Sequence, residues 1–145
     1  MIGLLDVNVL VALAWPNHLH HEQARAWFEK NHRAGWATCP VTESGFVRVS
    51  SNRRVTPAAT RPEAAIRLLR EMTGLPGHSF WTDDTSIARS QWIAAERLLG
   101  HGQVTDAHLV ALTLRRRGRL VTFDRGVAEI LPAGVAKDVL ILLGA

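Results

Sequence analysis

Five short apolar runs, separated by stretches of helical spacing, constrain this chain more than any other feature. They lie at Ile2 to Leu5, Trp36 to Cys39, Ser79 to Thr82, Arg119 to Phe123 and Val139 to Leu142. Each is bounded by turn or cap residues and suits a buried strand. Helical patterns fill the intervals. His18 to Asn31 places Leu19, Gln23, Ala26 and Trp27 on one stripe, and Thr42 to Val49 follows Pro40 as a second helix. Thr60-Arg-Pro-Glu63 reads as a capping box that opens a helix through Met72, ended by Gly74. Ile87, Gln91, Ala94 and Leu98 predict a further helix, and Val104 to Arg117 one more, stopped by Gly118. Strands alternating with helices of this length predict an α/β fold with a mostly parallel sheet. In such sheets functional sites form beyond the carboxyl ends of the strands, where helix N-termini also point.

With 145 residues, 47% of them hydrophobic, the chain suits one compact domain, residues 1–145, built on a single core. The run from Ile2 to Trp15 is apolar, but it contains Asp6 and Asn8 and is shorter than the roughly 20 residues a membrane crossing needs. It reads as core, with no membrane role. Cys39 is the one cysteine, which excludes an internal disulfide and favours a reducing, cytoplasmic setting. Fifteen arginines and two lysines against thirteen acids give a net charge of +4, a balance that suits a partner carrying phosphates. The main loop-like stretch runs from Ser50 to Thr60.

Four acids fall where this topology gathers residues. Asp6 follows the first strand, Glu43 lies in the first turn after the second, Asp106 follows Thr105 at a helix start, and Asp124 closes the fourth strand. Each has an ordinary structural explanation as a helix cap, a dipole partner or a turn residue. Together they are directed to one edge of the sheet. Carboxylates about 4 Å apart repel by roughly 4 kcal/mol per pair at an effective dielectric near 20. Several in one pocket therefore call for protons or a hard divalent cation.

The motifs Leu4-Leu-Asp6-Val-Asn8-Val-Leu-Val11, Pro40-Val-Thr-Glu43-Ser, Val104-Thr-Asp106-Ala-His-Leu-Val-Ala111 and Leu120-Val-Thr-Phe-Asp124-Arg-Gly126 resemble the four acidic motifs of the PIN domain. More narrowly they resemble toxins of the VapC type, in order and spacing from near residue 1 to at least residue 130. The resemblance implies a three-layer sandwich with a central, mostly parallel five-stranded sheet. It implies a ribonuclease that uses Mg2+ or Mn2+, commonly dimeric and inhibited by a cognate antitoxin, with transfer or ribosomal RNA as substrate. By position, Asp6, Asp106 and Asp124 would hold the metal, Glu43 would hold water beside it, and Asn8 and Thr122 would orient these acids.

Arg115, Arg116, Arg117 and Arg119 form the densest basic cluster, but cations in a last helical turn also complement its dipole. Arg48, Arg53 and Arg54 are better placed to meet RNA phosphates. His18, His20, His21 and Glu22 lack zinc-site spacing and read as a solvated helix start. His108, about 200 degrees around the helix from Asp106, points elsewhere, and the five tryptophans read as core. The nearly all-round apolar helix from Val104 to Leu114 belongs in the core or at a subunit interface. A receiver domain would need paired acids after the first strand, a dehalogenase-type phosphatase a second aspartate where Asn8 stands, and a P-loop enzyme a Gly-rich loop with lysine. The remaining competitor is a non-catalytic module that binds RNA or protein.

Overall fold

The computed structural model describes residues 1–56 and 58–144; Pro57, inside the expected loop 50–60, lies outside them. Five parallel strands form one sheet: β1 (Gly3–Leu5), β2 (Trp36–Thr38), β3 (His78–Phe80), β4 (Arg119–Thr122) and β5 (Leu140–Leu142). Their spatial order is β3-β2-β1-β4-β5. The helices are α1 (Val7–Ala14), α2 (His21–Asn31), α3 (Pro40–Ser50), α4 (Pro62–Thr73) and α5 (Val104–Arg115).

Two cores explain the layering. Alternate strand residues point to opposite faces, so Leu5, Trp36 and Val121 pack with Val9, Leu10, Phe28, Phe46 and Leu69 under helices α1 to α4. Their neighbours Leu4, Ala37 and Leu120 face the other way and pack with Leu109, Leu112, Trp81 and Val127 under α5. The result is a three-layer sandwich around a parallel sheet. The run from Ile2 to Trp15 is β1 and α1, with Leu4, Leu5, Val9 and Leu10 buried. Among the described residues no helix is long and apolar enough to cross a membrane.

Several expected boundaries shift for identifiable reasons. Helix α3 starts at Pro40, because proline suits the first helical position. Thr42 Oγ1 there accepts from Cys39 N at 3.0 Å, the reaching-back half of a capping box. No such box forms at Thr60: Arg61 is the N-cap of α4 and offers no side-chain hydrogen bond. Helix α5 begins after Gln103, so Thr105 is not its cap. The helix expected from Ile87 to Leu98 is absent, replaced by turns and a single 3-10 turn at Ala95–Arg97. Of that stripe only Ala94 is buried, and an apolar face with nothing to cover it does not sustain a helix.

The segment after β3 is instead fastened to α5. His108 Nε2 meets Asp83 Oδ2 at 2.5 Å, and Arg115 grips Asp84 through two hydrogen bonds of 2.8 and 2.6 Å. Arg116 donates to both oxygens of Thr82. Arg115 and Arg116 of the basic cluster therefore serve as a clamp. It sits at the C-terminal end of α5, about 14 Å along the helix axis from Asp106 at the usual rise per residue.

Candidate active site

Strand β1 occupies the centre of the sheet, and the chain builds outward from it first through β2 and β3 and later through β4 and β5. The cleft between the carboxyl ends of β1 and β4 is thus the topological switch point, the favoured place for a site in such a sheet. Asp6 follows β1 directly, and Asp124 lies two residues beyond β4.

Asp6 is only 6% exposed, and its two oxygens have separate partners. Oδ1 accepts from Val7 N at 2.7 Å and caps α1, whereas Oδ2 accepts from Thr122 Oγ1 at 2.7 Å. Thr122 Oγ1 also accepts from Asn8 Nδ2 at 3.2 Å and from Asp124 N at 3.0 Å. Asn8 Oδ1 in turn accepts from Phe123 N at 3.2 Å. These bonds tie the segment after β1 to the segment after β4, with Thr122 holding Asp6 Oδ2 and the backbone of Asp124. Asp124 Oδ1 accepts from Gly126 N at 2.8 Å and caps a 3-10 turn.

Asp106 stands in the first turn of α5. Burial, followed by the charges of Asp6 and Asp124, pushes its carboxyl up to about 6. Burial also raises the Asp6 carboxyl, with Asp124 adding to the rise and the Thr122 and Val7 bonds opposing it. Three carboxylates therefore feel one another across this edge.

Glu43 is placed differently. It lies in the first turn of α3, beside α1, because Gly45 lets the two helices meet: a Cβ at Gly45 would fall 2.5 Å from Val7 Cγ2. Its carboxylate Oε2 accepts from Thr38 Oγ1 at 2.6 Å, and the neighbouring charge it influences is His78. Among the described residues no three His, Cys, Asp or Glu side chains close to metal-ligand spacing. The structure thus joins Asp6, Asp106 and Asp124 electrostatically and sets Glu43 on the same edge with its own partner.

Arg48 lines a hollow with Val7, Pro40, Ser44 and Thr105, beside the helix starts that present the acids. Arg53 and Arg54 are exposed on the turn after α3. The histidines near α2 are absorbed locally: His20 stacks on Phe123 and His21 Nδ1 meets Ala12 O at 2.8 Å. Trp36 and Trp81 are buried, while Trp15, Trp27 and Trp92 are half-buried. Residue-level reading passed over Thr38 and His78. The available signal was a hydroxyl at the end of β2, five residues before Glu43; His78 gave none, since only strand pairing brings it near.

Residues 3–130 match the PIN domain. Ribonuclease VapC39 of Mycobacterium tuberculosis is 49% identical over 137 residues, covering 94% of this chain and 99% of the relative. Ribonuclease VapC38 of the same organism is 51% identical over 126 residues, 87% of each chain. Two solved structures share the fold. Mycobacterium tuberculosis VapC20, described as a sarcin-ricin loop cleaving toxin, aligns with a TM-score of 0.61 at 13% identity, over 90% of this chain and 99% of its own. VapBC2 from Rickettsia felis, bound to a DNA fragment from their promoter, aligns with a TM-score of 0.56 at 15% identity, over 98% and 97%. With its acids at the switch point of a parallel five-stranded sheet and relatives of this identity along nearly its whole length, the chain belongs to the PIN-domain family, among the VapC ribonucleases.

Proposed function

We propose that this protein is a Mg2+- or Mn2+-dependent endoribonuclease, the toxin of a VapBC-type toxin-antitoxin pair, folded as one PIN domain and acting in the cytoplasm. The observation that carries the reading is Asp106. Its half-buried carboxyl is raised to about 6 by burial and by Asp6 and Asp124, and no hydrogen bond is among the causes acting on it. A carboxylate so crowded is stabilised by a hard cation with oxygen ligands. Asp6, Asp106 and Asp124 would hold the ion, with Asn8 and Thr122 keeping the first and last in place. A divalent ion, when bound, supplies Lewis acidity toward a phosphodiester and makes water easier to deprotonate.

The chain's own part is positional. Glu43 orients water at the edge, and Arg48 receives a backbone phosphate; Arg53 and Arg54 extend that basic track. The relatives' names support RNA as the substrate, with transfer or ribosomal RNA proposed here, and the name VapBC2 supports an antitoxin as partner. A homodimer is proposed on the same footing. The test is cleavage of structured RNA with Mn2+. Asp6→Asn and Asp106→Asn, or excess EDTA, should remove cleavage while leaving RNA binding. Shortened RNA from either variant, or from wild type in EDTA, would overturn the reading, and retarded but uncut RNA from wild type would favour a binding module. Arg48→Ala should raise KM and flatten its dependence on salt.

A further inference from the structure

Glu43 is the one acid of the set whose carboxylate is held by a side chain of β2, Thr38. Strands β2 and β3 run parallel with Trp36 opposite His78 and Thr38 opposite Phe80. Side chains two apart share a face, so His78 lies beside Trp36 and diagonally across from Thr38. Its ring packs edge-on to Trp36 with centroids 4.7 Å apart, and Trp36 is itself fixed by donating Nε1–H to Pro76 O at 3.1 Å. From that seat His78 Nε2 reaches Thr38 Oγ1 at 2.8 Å. Thr38 is fully buried, and its hydroxyl also meets Glu43 Oε2 at 2.6 Å.

The proton count orders this chain. A carboxylate offers no proton, so the single hydroxyl proton of Thr38 goes to Glu43. His78 must then donate from Nε2, which fixes its tautomer. We propose that His78 and Thr38 are positioning residues for Glu43: His78 Nε2–H locks the Thr38 hydroxyl, and that hydroxyl holds Oε2 so that Oε1 remains the free acceptor. What Glu43 then does with Oε1 rests on the nuclease reading; the chain of bonds does not.

The experiment combines kinetics with a spectroscopic readout. Thr38→Val, nearly the same shape without a hydroxyl, should lower kcat roughly 10-fold or more with KM for RNA unchanged, as loss of an outer partner typically does. Thr38→Ser should restore it. In a Glu43→Ala background, which removes the acceptor, Thr38→Val should cost nothing further, since both changes break one linkage. Independently of cleavage, nitrogen NMR of histidine-labelled protein should find His78 protonated at Nε2, with a resonance that Glu43→Gln shifts in the wild-type background and leaves still in Thr38→Val. His78 protonated at Nδ1 alone, or an equal loss from Thr38→Val in both backgrounds, would overturn the proposal. Should Thr38→Val fold poorly by thermal melting, His78→Gln, which keeps an amide donor, and His78→Phe, which removes it, replace it in the same comparison. Absence of RNA cleavage by wild type alongside the Glu43-dependent shift at His78 would refute the nuclease reading and support the positioning chain.

Discussion

Asp6 divides its work between its oxygens, capping α1 with Oδ1 and receiving Thr122 with Oδ2, so one side chain serves both the helix start and the tie to the end of β4. Asp106 has no such compensation, which makes its cost to the metal-free protein measurable. Its folded carboxyl lies near 6 against 3.8 when free, so the folded chain holds the proton more tightly. The stability from that proton is complete below about pH 4 and is lost as pH rises through about 6. Asp106→Asn should therefore raise the Tm of metal-free protein above pH 6 and leave it unchanged below pH 4. Discounted for the half-open setting, the gain is about 1 kcal/mol. A scan of Tm against pH in EDTA checks it, and an unchanged Tm at pH 7 would contradict it. The same variant should be inactive, a stabilising loss of function of the kind expected where a site stores unfavourable charge.

At the scale of elements, the turn from α5 to β4 separates two effects that sequence reading merged. Gly118 was expected to stop α5, but the residue with left-handed backbone is Arg117, at φ +54°. Arg117 N donates to Leu114 O at 3.1 Å and Gly118 N to Thr113 O at 3.0 Å, the paired bonds of a Schellman ending. Gly118 is needed for another reason: a Cβ there would lie 2.7 Å from Ile2 O and 2.6 Å from the Trp81 ring. Arg117→Gly should therefore stabilise the protein by about 1 kcal/mol, whereas Gly118→Ala should destabilise it; denaturant midpoints distinguish the two. The Asp83–His108 pair is a second element-level device, with side chains only 9% and 19% exposed. Removing one partner from so enclosed a pair, as in Asp83→Ala, should cost about 2 to 3 kcal/mol. The exposed Arg115–Asp84 pair is screened by solvent, so Asp84→Ala should move the denaturant midpoint far less than Asp83→Ala.

At the scale of the whole molecule, the sheet order makes the acid edge the place where distant parts of the chain meet, since β1 and β4 are neighbours although more than a hundred residues apart. A cation held there would bind only the folded chain and raise its stability by mass action, about 2.7 kcal/mol at a hundredfold excess over Kd. Mn2+ should thus raise the Tm of wild type and not that of Asp6→Asn. An equal rise in both would argue that the ion binds elsewhere.

Alternation of apolar runs with helical stretches, together with Pro40 and Pro62, determined the fold class and directed the four acids toward the carboxyl edge of the sheet, because these signals are local and periodic. The tertiary structure decided what no local signal encodes. It gave Arg115 and Arg116 partners in the segment after β3, left Ile87 to Leu98 without a surface to pack on, and paired Glu43 with Thr38 and His78 rather than with the other acids. Periodicity specifies which face of an element is buried, but only strand order and register specify which side chains meet across it.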